Sequence, residues 1–397
     1  MGEGAPVSPI TRAVLLCLLL VTLSGLSAAG QPGVSDTEIV LGSTSFAGPL
    51  AFTGEQITKF GLDLYFRVAN EAGGIHGRKV RTVSYAADSD MPQEAVANTK
   101  KLVEQDRVFA IIVPQGSRPV AATLEYLEAN KVPLLFPYQS SPVTRGRRYV
   151  FPGMALSDRA SKMMIDYLAG SRKYRKFAVL YQDDEYGTSF LKAFEKDLGR
   201  FGRTLVAVQS VKPGVTDVSP QIATLRAAKP EVTFLVLVPG PAVQALRERR
   251  KIGWTDTLMV STGPLTDEGY LALAGDAAEG VEGLSLWPDP LTSDLPGVKL
   301  YRVHMLRNFP KNEPSRYSLA GYFGGMLFTE AAKRAGRNLT RESLIAALES
   351  IKGFESGILP PLTIGHDHET QKQGFWVRVE KGRFKPLTDW LKSESSE

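Results

Sequence analysis

The sequence predicts an α/β protein of two similar lobes, each a parallel sheet flanked by helices. Three observations carry this. Short β-like runs alternate with longer helical segments, the pattern of parallel sheets joined by right-handed crossovers. The alternation runs through once, breaks near Gly153 to Ser157, and starts again. The chain has 397 residues, too many for one core and enough for two.

In the first series Ile39-Val40-Leu41 reads as a strand. Gly54 to Ala72 reads as a helix, because Ile57, Phe60, Leu64 and Val68 recur near the helical period. Gly73-Gly74 ends it in a left-handed turn, which a residue with a Cβ resists. Val80 to Tyr85 is a strand. Asp90 is expected to cap the next helix, with Pro92 in its first turn, and that helix runs to about Asp106. Phe109 to Val113 is a strand, Pro119 to Asn130 a helix and Val132 to Phe136 a strand.

The second series opens with a helix from Asp158, its expected cap, to Ala169. Strands follow at Phe177 to Tyr181, Leu205 to Val208, Val232 to Val238 and Leu258 to Ser261. The helices between them are Gly187 to Phe201, Val218 to Ala228 and Ala242 to Ile252. After Leu286-Trp287-Pro288 come helices at Val298 to Phe309, Ser315 to Ala335 and Thr340 to Ile351, expected to return to the first lobe. Phe375 to Val379 and Arg383 to Leu387 form a hairpin around Lys381-Gly382, and a polar tail starts at Lys392.

Composition narrows the function. With 43% hydrophobic and 22% charged residues the chain is an ordinary globular one. The net charge is +5, but Arg145-Gly146-Arg147-Arg148 and Arg247-Glu248-Arg249-Arg250-Lys251, the densest basic clusters, read as a solvated turn and a solvated helix face. No nucleic-acid partner is expected. Residues 1–30 read as a secretory signal peptide: Arg12, an apolar run from Ala13 to Leu23, then small residues to a cleavage point after Ala29 or Gly30. That run is about 11 residues, short of the ~20 that span a bilayer, so the mature chain is not expected to cross a membrane. The only cysteine, Cys17, lies inside it, which leaves the mature chain without a disulfide, a thiolate nucleophile or a Cys-ligated zinc. Histidines number four, and His366-Asp367-His368-Glu369 suggests a metal site; placed after Pro360-Pro361, it reads as a solvated loop. Gly-x-Ser-x-Gly, phosphate-loop and His-Glu-x-x-His motifs are missing, so no catalytic activity, metal or cofactor is expected.

Four strings now fall in order: Gly48-Pro49 with Gly54, Asn70-Glu71-Ala72-Gly73-Gly74-Ile75-His76-Gly77-Arg78, Tyr181-Gln182-Asp183-Asp184-Glu185-Tyr186-Gly187, and Gly275-Asp276-Ala277-Ala278-Glu279-Gly280. From about Val34 to Leu387 the chain resembles the type I periplasmic binding proteins of the leucine/isoleucine/valine-binding kind. The resemblance implies two lobes on a hinge, closing over a small-molecule ligand in the periplasm. It implies an ABC transporter permease and ATPase as partners, and no cofactor. The lobes would be residues 34–155 with 287–365, and 156–286 with 366–391, ahead of a tail at 392–397. The ligand would be a branched-chain amino acid or a related polar or carboxylate molecule. A ligand-sensing subunit for an amide, urea or aromatic acid, acting on a separate partner, is the other reading.

The family's ligand loops match Gln115-Gly116-Ser117-Arg118 and Tyr138-Gln139-Ser140-Ser141 in the first lobe. Ser117 and Ser140 would hold the ligand carboxylate, although a serine before a helix is also an ordinary N-cap. In the second lobe Tyr186 matches the tyrosine that closes over the ligand. Asp184 sits beside it, at the carboxyl end of a strand, the edge where open α/β sheets bind ligands. Val238-Pro239-Gly240-Pro241 and Ser261-Thr262-Gly263-Pro264 match the remaining loops and bring in Gly240 and Gly263. Here the sequence departs from the family, whose amino-acid binders carry an acid near Gly263 to pair with the α-ammonium. An unpaired buried ammonium is costly. Either Asp184 or Asp267 takes that part, or the ligand has no ammonium. Tyr138, where the family often has a small residue, points to an aromatic-lined pocket or to ordinary packing.

Overall fold

The structure, a computed structural model, describes residues 31–393 together with Gly2. The expected signal peptide with Cys17, apart from Gly2, and tail residues 394–397 lie outside that description.

The chain begins with β1 (Glu38–Phe46) and α1 (Ala51–Ile57), a π-helical segment (Thr58–Asp63) and α2 (Leu64–Glu71). It continues through β2 (Lys79–Ala87), α3 (Pro92–Glu104), β3 (Ile111–Ile112), α4 (Ser117–Ala129), β4 (Leu134–Leu135) and β5 (Val150–Phe151). These strands make one parallel sheet in the order β2-β1-β3-β4-β5.

The second unit is α5 (Ser157–Ile165), β6 (Phe177–Gln182), α6 (Glu185–Gly199), β7 (Leu205–Val211), α7 (Ser219–Ala227), β8 (Val232–Val236), α8 (Pro239–Lys251), β9 (Leu258–Ser261), α9 (Glu268–Ala274) and β10 (Glu282–Ser285). Helices α10 (Pro296–Asn308), α11 (Arg316–Ala335) and α12 (Arg341–Glu349) follow, then β11 (Gln373–Glu380), β12 (Arg383–Pro386) and β13 (Leu391–Lys392). The second sheet runs β12-β11-β10-β9-β8-β6-β7, with β13 against β11. It is parallel from β10 to β7 and antiparallel at the β11 and β12 hairpin. Two α/β units are therefore present, as the alternation predicts. No described helix is long and apolar enough to cross a membrane.

Helices α11 and α12 return to the first sheet. The Tyr322 ring of α11 meets Tyr65 of α2 edge-on at 4.9 Å, and Ser315 donates to Gln56 at 3.1 Å. From α12 the Arg341 guanidinium donates to the carbonyls of Phe109 and Val108. Both helices start one residue later than their first polar residue suggests, because Ser315 and Thr340 are the caps.

Several local expectations are corrected. The helix from Gly54 is interrupted by the π segment. Asp90 does not cap α3: Met91 holds that position without a side-chain bond, while Glu94 reaches back to the Asp88 N–H. Leu156, not Asp158, precedes α5, and the Asp158 carboxylate grips Arg145 at 2.6 and 3.0 Å. Strands β3 and β4 keep two residues each, because Val113 and Phe136 take left-handed φ values of 48° and 53° and turn the chain out of the sheet.

Of the loop from His366 to Glu369, expected to be solvated, His366 is exposed and Asp367 half-buried, but His368 and Glu369 are buried. The loop lies where the chain crosses between the sheets. Glu369, 1% exposed, pairs with Arg159 at 2.6 Å and Arg145 at 2.9 Å. Thr370 donates to the Pro152 carbonyl at 2.7 Å on a second crossing, and the His368 ring stacks on Phe151 at 4.0 Å. The Arg145-Gly146-Arg147-Arg148 turn is largely solvent-exposed, as expected, and Arg145 alone of its arginines reaches into the junction.

Candidate functional site

The carboxyl ends of β3 and β4 in the first sheet and of β6 and β8 in the second face one cavity, with about 670 Å³ of atom-free space. Its first-lobe wall is built twice from one local pattern. Val113-Pro114-Gln115-Gly116-Ser117 and Phe136-Pro137-Tyr138-Gln139-Ser140 each put a left-handed residue at the strand end, then a proline, then a serine three residues on. A bulky residue in the left-handed region is strained, and strain of this kind collects at functional loops. The two loops hold each other: Gly116 N–H donates to the Tyr138 carbonyl at 3.1 Å, and Tyr138 N–H to the Pro114 carbonyl at 2.8 Å. Gly116 sits at φ 92°, where a side chain would also strike Phe46 and Pro119.

Gly116 is the N-cap of α4 and offers no side chain, so the first N–H groups of that helix, Ser117 and Arg118, have no acceptor among the described residues. Pro119 has no N–H to satisfy. The Ser117 hydroxyl is not a cap; it accepts the Ser140 N–H at 3.4 Å. Ser140 does not cap either. Ser141 does, accepting from Val143 N–H and donating at 2.5 Å to Glu185 on the opposite lobe. The Gln139 side chain turns back to its own loop, accepting from Ser141 N–H and donating to Thr144 at 2.9 Å, which braces the wall. Free N–H groups at a helix start, with hydroxyls beside them, favour an anion.

The opposite wall comes from β6 and α6. Asp184 caps α6, one oxygen accepting from Gly187 N–H at 3.0 Å and the other from the Gln182 side-chain amide. Gly187 is required there, since a Cβ would lie 1.8 Å from the Gln182 carbonyl. Burial, more than any neighbouring charge, pushes the Asp184 carboxyl above its ordinary range. Tyr186 meets Thr262 hydroxyl to hydroxyl at 2.5 Å, and Thr262 in turn donates to the Leu235 carbonyl. Tyr138 lines the cavity and meets Tyr317 edge-on at 6.0 Å. Phe46, Leu50, Met154 and Val238 complete a largely apolar wall. Arg118 and Asp184 are the only charged side chains lining it among the described residues.

Of the residues singled out from sequence, Ser117, Tyr138, Gln139, Ser140, Asp184 and Tyr186 line this cavity. Gly240 does not; it borders an adjoining outer space. Gly263 is also displaced. It sits behind Met154, 3.9 Å from that side chain's tip to a Cβ built on it, and Pro264 lines the cavity instead. Asp267 is turned away, 1% exposed, with Gly269 N–H at 2.8 Å and Tyr317 N–H at 2.9 Å. Burial first, then the neighbouring Glu268, pushes its pKa up to about 7.

Several lining residues escape sequence reasoning, Tyr317 and Gln182 among them. Tyr317 arrives on α11, from the far end of the chain, and nothing local marks it. Gln182 is the last residue of β6, the sheet edge where ligands bind, and that position was the available signal. Its side-chain oxygen is buried with no donor among the described residues.

Comparison with known proteins covers most of the chain. The sequence profile described as "Periplasmic binding protein" matches residues 40–383. The chain is 27% identical over 345 residues to a Leu/Ile/Val-binding protein homolog of Brucella melitensis, covering 86% of this chain and 91% of that one. Its fold is similar to that of a fatty acid ABC transporter substrate-binding protein from Thermomonospora curvata, with a TM-score of 0.83 at 24% identity, over 92% of this chain and 95% of that one. It is similar as well to a solute-binding protein of an R. palustris ABC transporter in complex with benzoate, with a TM-score of 0.77 at 18% identity, over 88% and 95%.

Proposed function

The chain belongs to the periplasmic binding protein family, of the leucine/isoleucine/valine-binding kind, and on that premise we propose that it is the solute-binding component of an ABC importer, holding a small carboxylate with an apolar body between two closing lobes. The observation that carries this is the polarity of the cavity. One wall offers the free N–H groups of Ser117 and Arg118 and the hydroxyls of Ser117 and Ser140; Asp184 and Gln182 stand on the opposite wall, and most of the remaining lining is aromatic and aliphatic. Its acceptors for an ammonium are Asp184, which already serves as a helix cap, and the Gln182 side-chain oxygen. Both Asp184 oxygens already accept internal hydrogen bonds, and Asp267 faces away from the cavity. The similar proteins bear on the same point, since branched-chain amino acids, a fatty acid and benzoate share a carboxylate on an apolar body.

In this reading residues 1–30 direct export, the chain works in the periplasm without catalysis, and a permease with its ATPase receives the ligand. A thermal-shift panel of leucine, glutamate, benzoate, short alkanoates and their amides tests it. A bound carboxylate at 100–1,000 times its dissociation constant adds about 3–4 kcal/mol of stability. The same ligand should lower the radius of gyration in small-angle scattering as the lobes close. Stabilisation by amides or amines alone would reject the proposal, and so would uptake that persists when the protein is deleted.

A further inference from the structure

A second space, with about 1080 Å³ of atom-free volume that includes open solvent, adjoins the cavity; Leu50, Thr53, Ser89, Gln182, Val238, Pro239 and Tyr317 line both. Its own walls are Pro49 and Phe52 from the first lobe, with Pro213, Val215, Pro241 and Leu273 from the second. Phe52 and Leu273 are each 56% exposed and flank it from opposite lobes. The Phe52 ring lies against Gly269, one helical turn before Leu273, where a Cβ would come within 2.8 Å of it. Large apolar side chains left open on both sides of a ligand cleft gain from an apolar occupant.

Polar side chains reach this space, Thr53, Ser89, Thr216, Gln244 and Tyr270 among them, but no cationic one lines it among the described residues. Helix α8 points its start into this space but opens Pro239-Gly240-Pro241, so Gly240 supplies the only N–H in those three positions. The charged residue at its border is Asp90, an anion. A second carboxylate would find no cation to pair with and a like charge.

Resting on the carboxylate reading of the inner cavity, we propose that the ligand is a monocarboxylate longer than a branched-chain amino acid, an alkanoate or arylalkanoate. Its head lies at Ser117 and Ser140, and its apolar tail runs into the space between Phe52 and Leu273. Gly240 gives a direct handle, because a Cβ built on it meets nothing within 4 Å. A larger residue there fills the outer space without a clash.

The test is calorimetric titration of residues 31–397 with butanoate, hexanoate, octanoate and octanedioate. Each added methylene should tighten binding about three- to fourfold, the yield of burying one CH₂. Octanedioate should bind more weakly than octanoate by about tenfold or more. Gly240→Leu should reduce the preference for octanoate over butanoate by about tenfold or more, a ratio that loss of folded protein does not change. Butanoate or benzoate binding with an affinity flat or falling along the series overturns this inference and leaves the carboxylate reading standing. Failure of every carboxylate to bind, with the chain folded by circular dichroism, overturns both.

Discussion

Asp267 accepts the backbone N–H of Tyr317 at 2.9 Å while capping its own helix through Gly269 N–H at 2.8 Å. The acid nearest the expected ammonium site therefore joins the starts of α9 and α11 and offers the ligand nothing. Beside it, Glu268 pairs with Arg316, so the same two helix starts are tied twice.

A pH dependence follows from this burial. The Asp267 pKa rises from 3.8 to about 7 on folding, so the folded state binds the extra proton between those values. Stability then falls as pH rises through that window, because the stability slope follows the protons bound by the unfolded minus the folded state. Asp267→Asn removes this dependence. Urea unfolding at pH 5 and pH 8 should show the variant gaining on the parent at pH 8. A parent that gains on the variant as pH rises would contradict the assignment.

Ser140→Ala and Ser117→Ala should each weaken carboxylate binding by about 1.5–3 kcal/mol, the range for a hydrogen bond to a charged group. Neither hydroxyl caps a helix, so the melting temperature without ligand should change little for Ser140→Ala and drop modestly for Ser117→Ala, which loses the bond from Ser140 N–H. A large drop in melting temperature with affinity intact would make both serines structural.

Asp184→Asn separates an amino-acid ligand from a plain carboxylate. Asparagine caps a helix about as well as aspartate. Its amide can donate to the unpartnered Gln182 oxygen once the Gln182 amide rotates, so the fold should hold. Alkanoate affinity should hold or rise, since no charge pair is broken and a like charge is removed from the cavity wall. A ligand ammonium paired with Asp184 would instead lose about 3–5 kcal/mol. Calorimetry on the variant distinguishes the two.

Glu369→Gln should destabilise the chain by about 3 kcal/mol, because it removes the closer and more buried of the two carboxylates paired with buried Arg159, leaving Asp367 at 3.7 Å. The denaturation midpoint is the readout, and a loss under about 1 kcal/mol would mean that the junction network contributes little.

Elements whose signals are local were legible in the sequence. Strands β6 and β8 show as apolar runs, α6 follows its cap Asp184, and α11 and α12 follow Ser315 and Thr340. The short strands β3 and β4 were overextended, because Val113 and Phe136 look like ideal strand residues until their left-handed φ is seen. The proline after each, and a serine three residues beyond, is a repeat that the sequence carries openly. Long-range pairings were beyond reach. Asp267 was a reasonable ligand partner by distance along the chain, and only the arrival of Tyr317 on α11 turns it inward. Glu369 looked solvated after two prolines, and only Arg159 and Arg145, more than 200 residues earlier, bury it.

The carboxylate itself is the centre of the account, and one comparison isolates it. Octanoate and octanamide, titrated calorimetrically into the same protein, differ in charge and hardly at all in shape. The acid should bind at least about tenfold more tightly, the loss expected when a charged group gives up hydrogen bonds to Ser117, Arg118 and Ser140. Equal affinity for the two, or tighter binding of the amide, would contradict it.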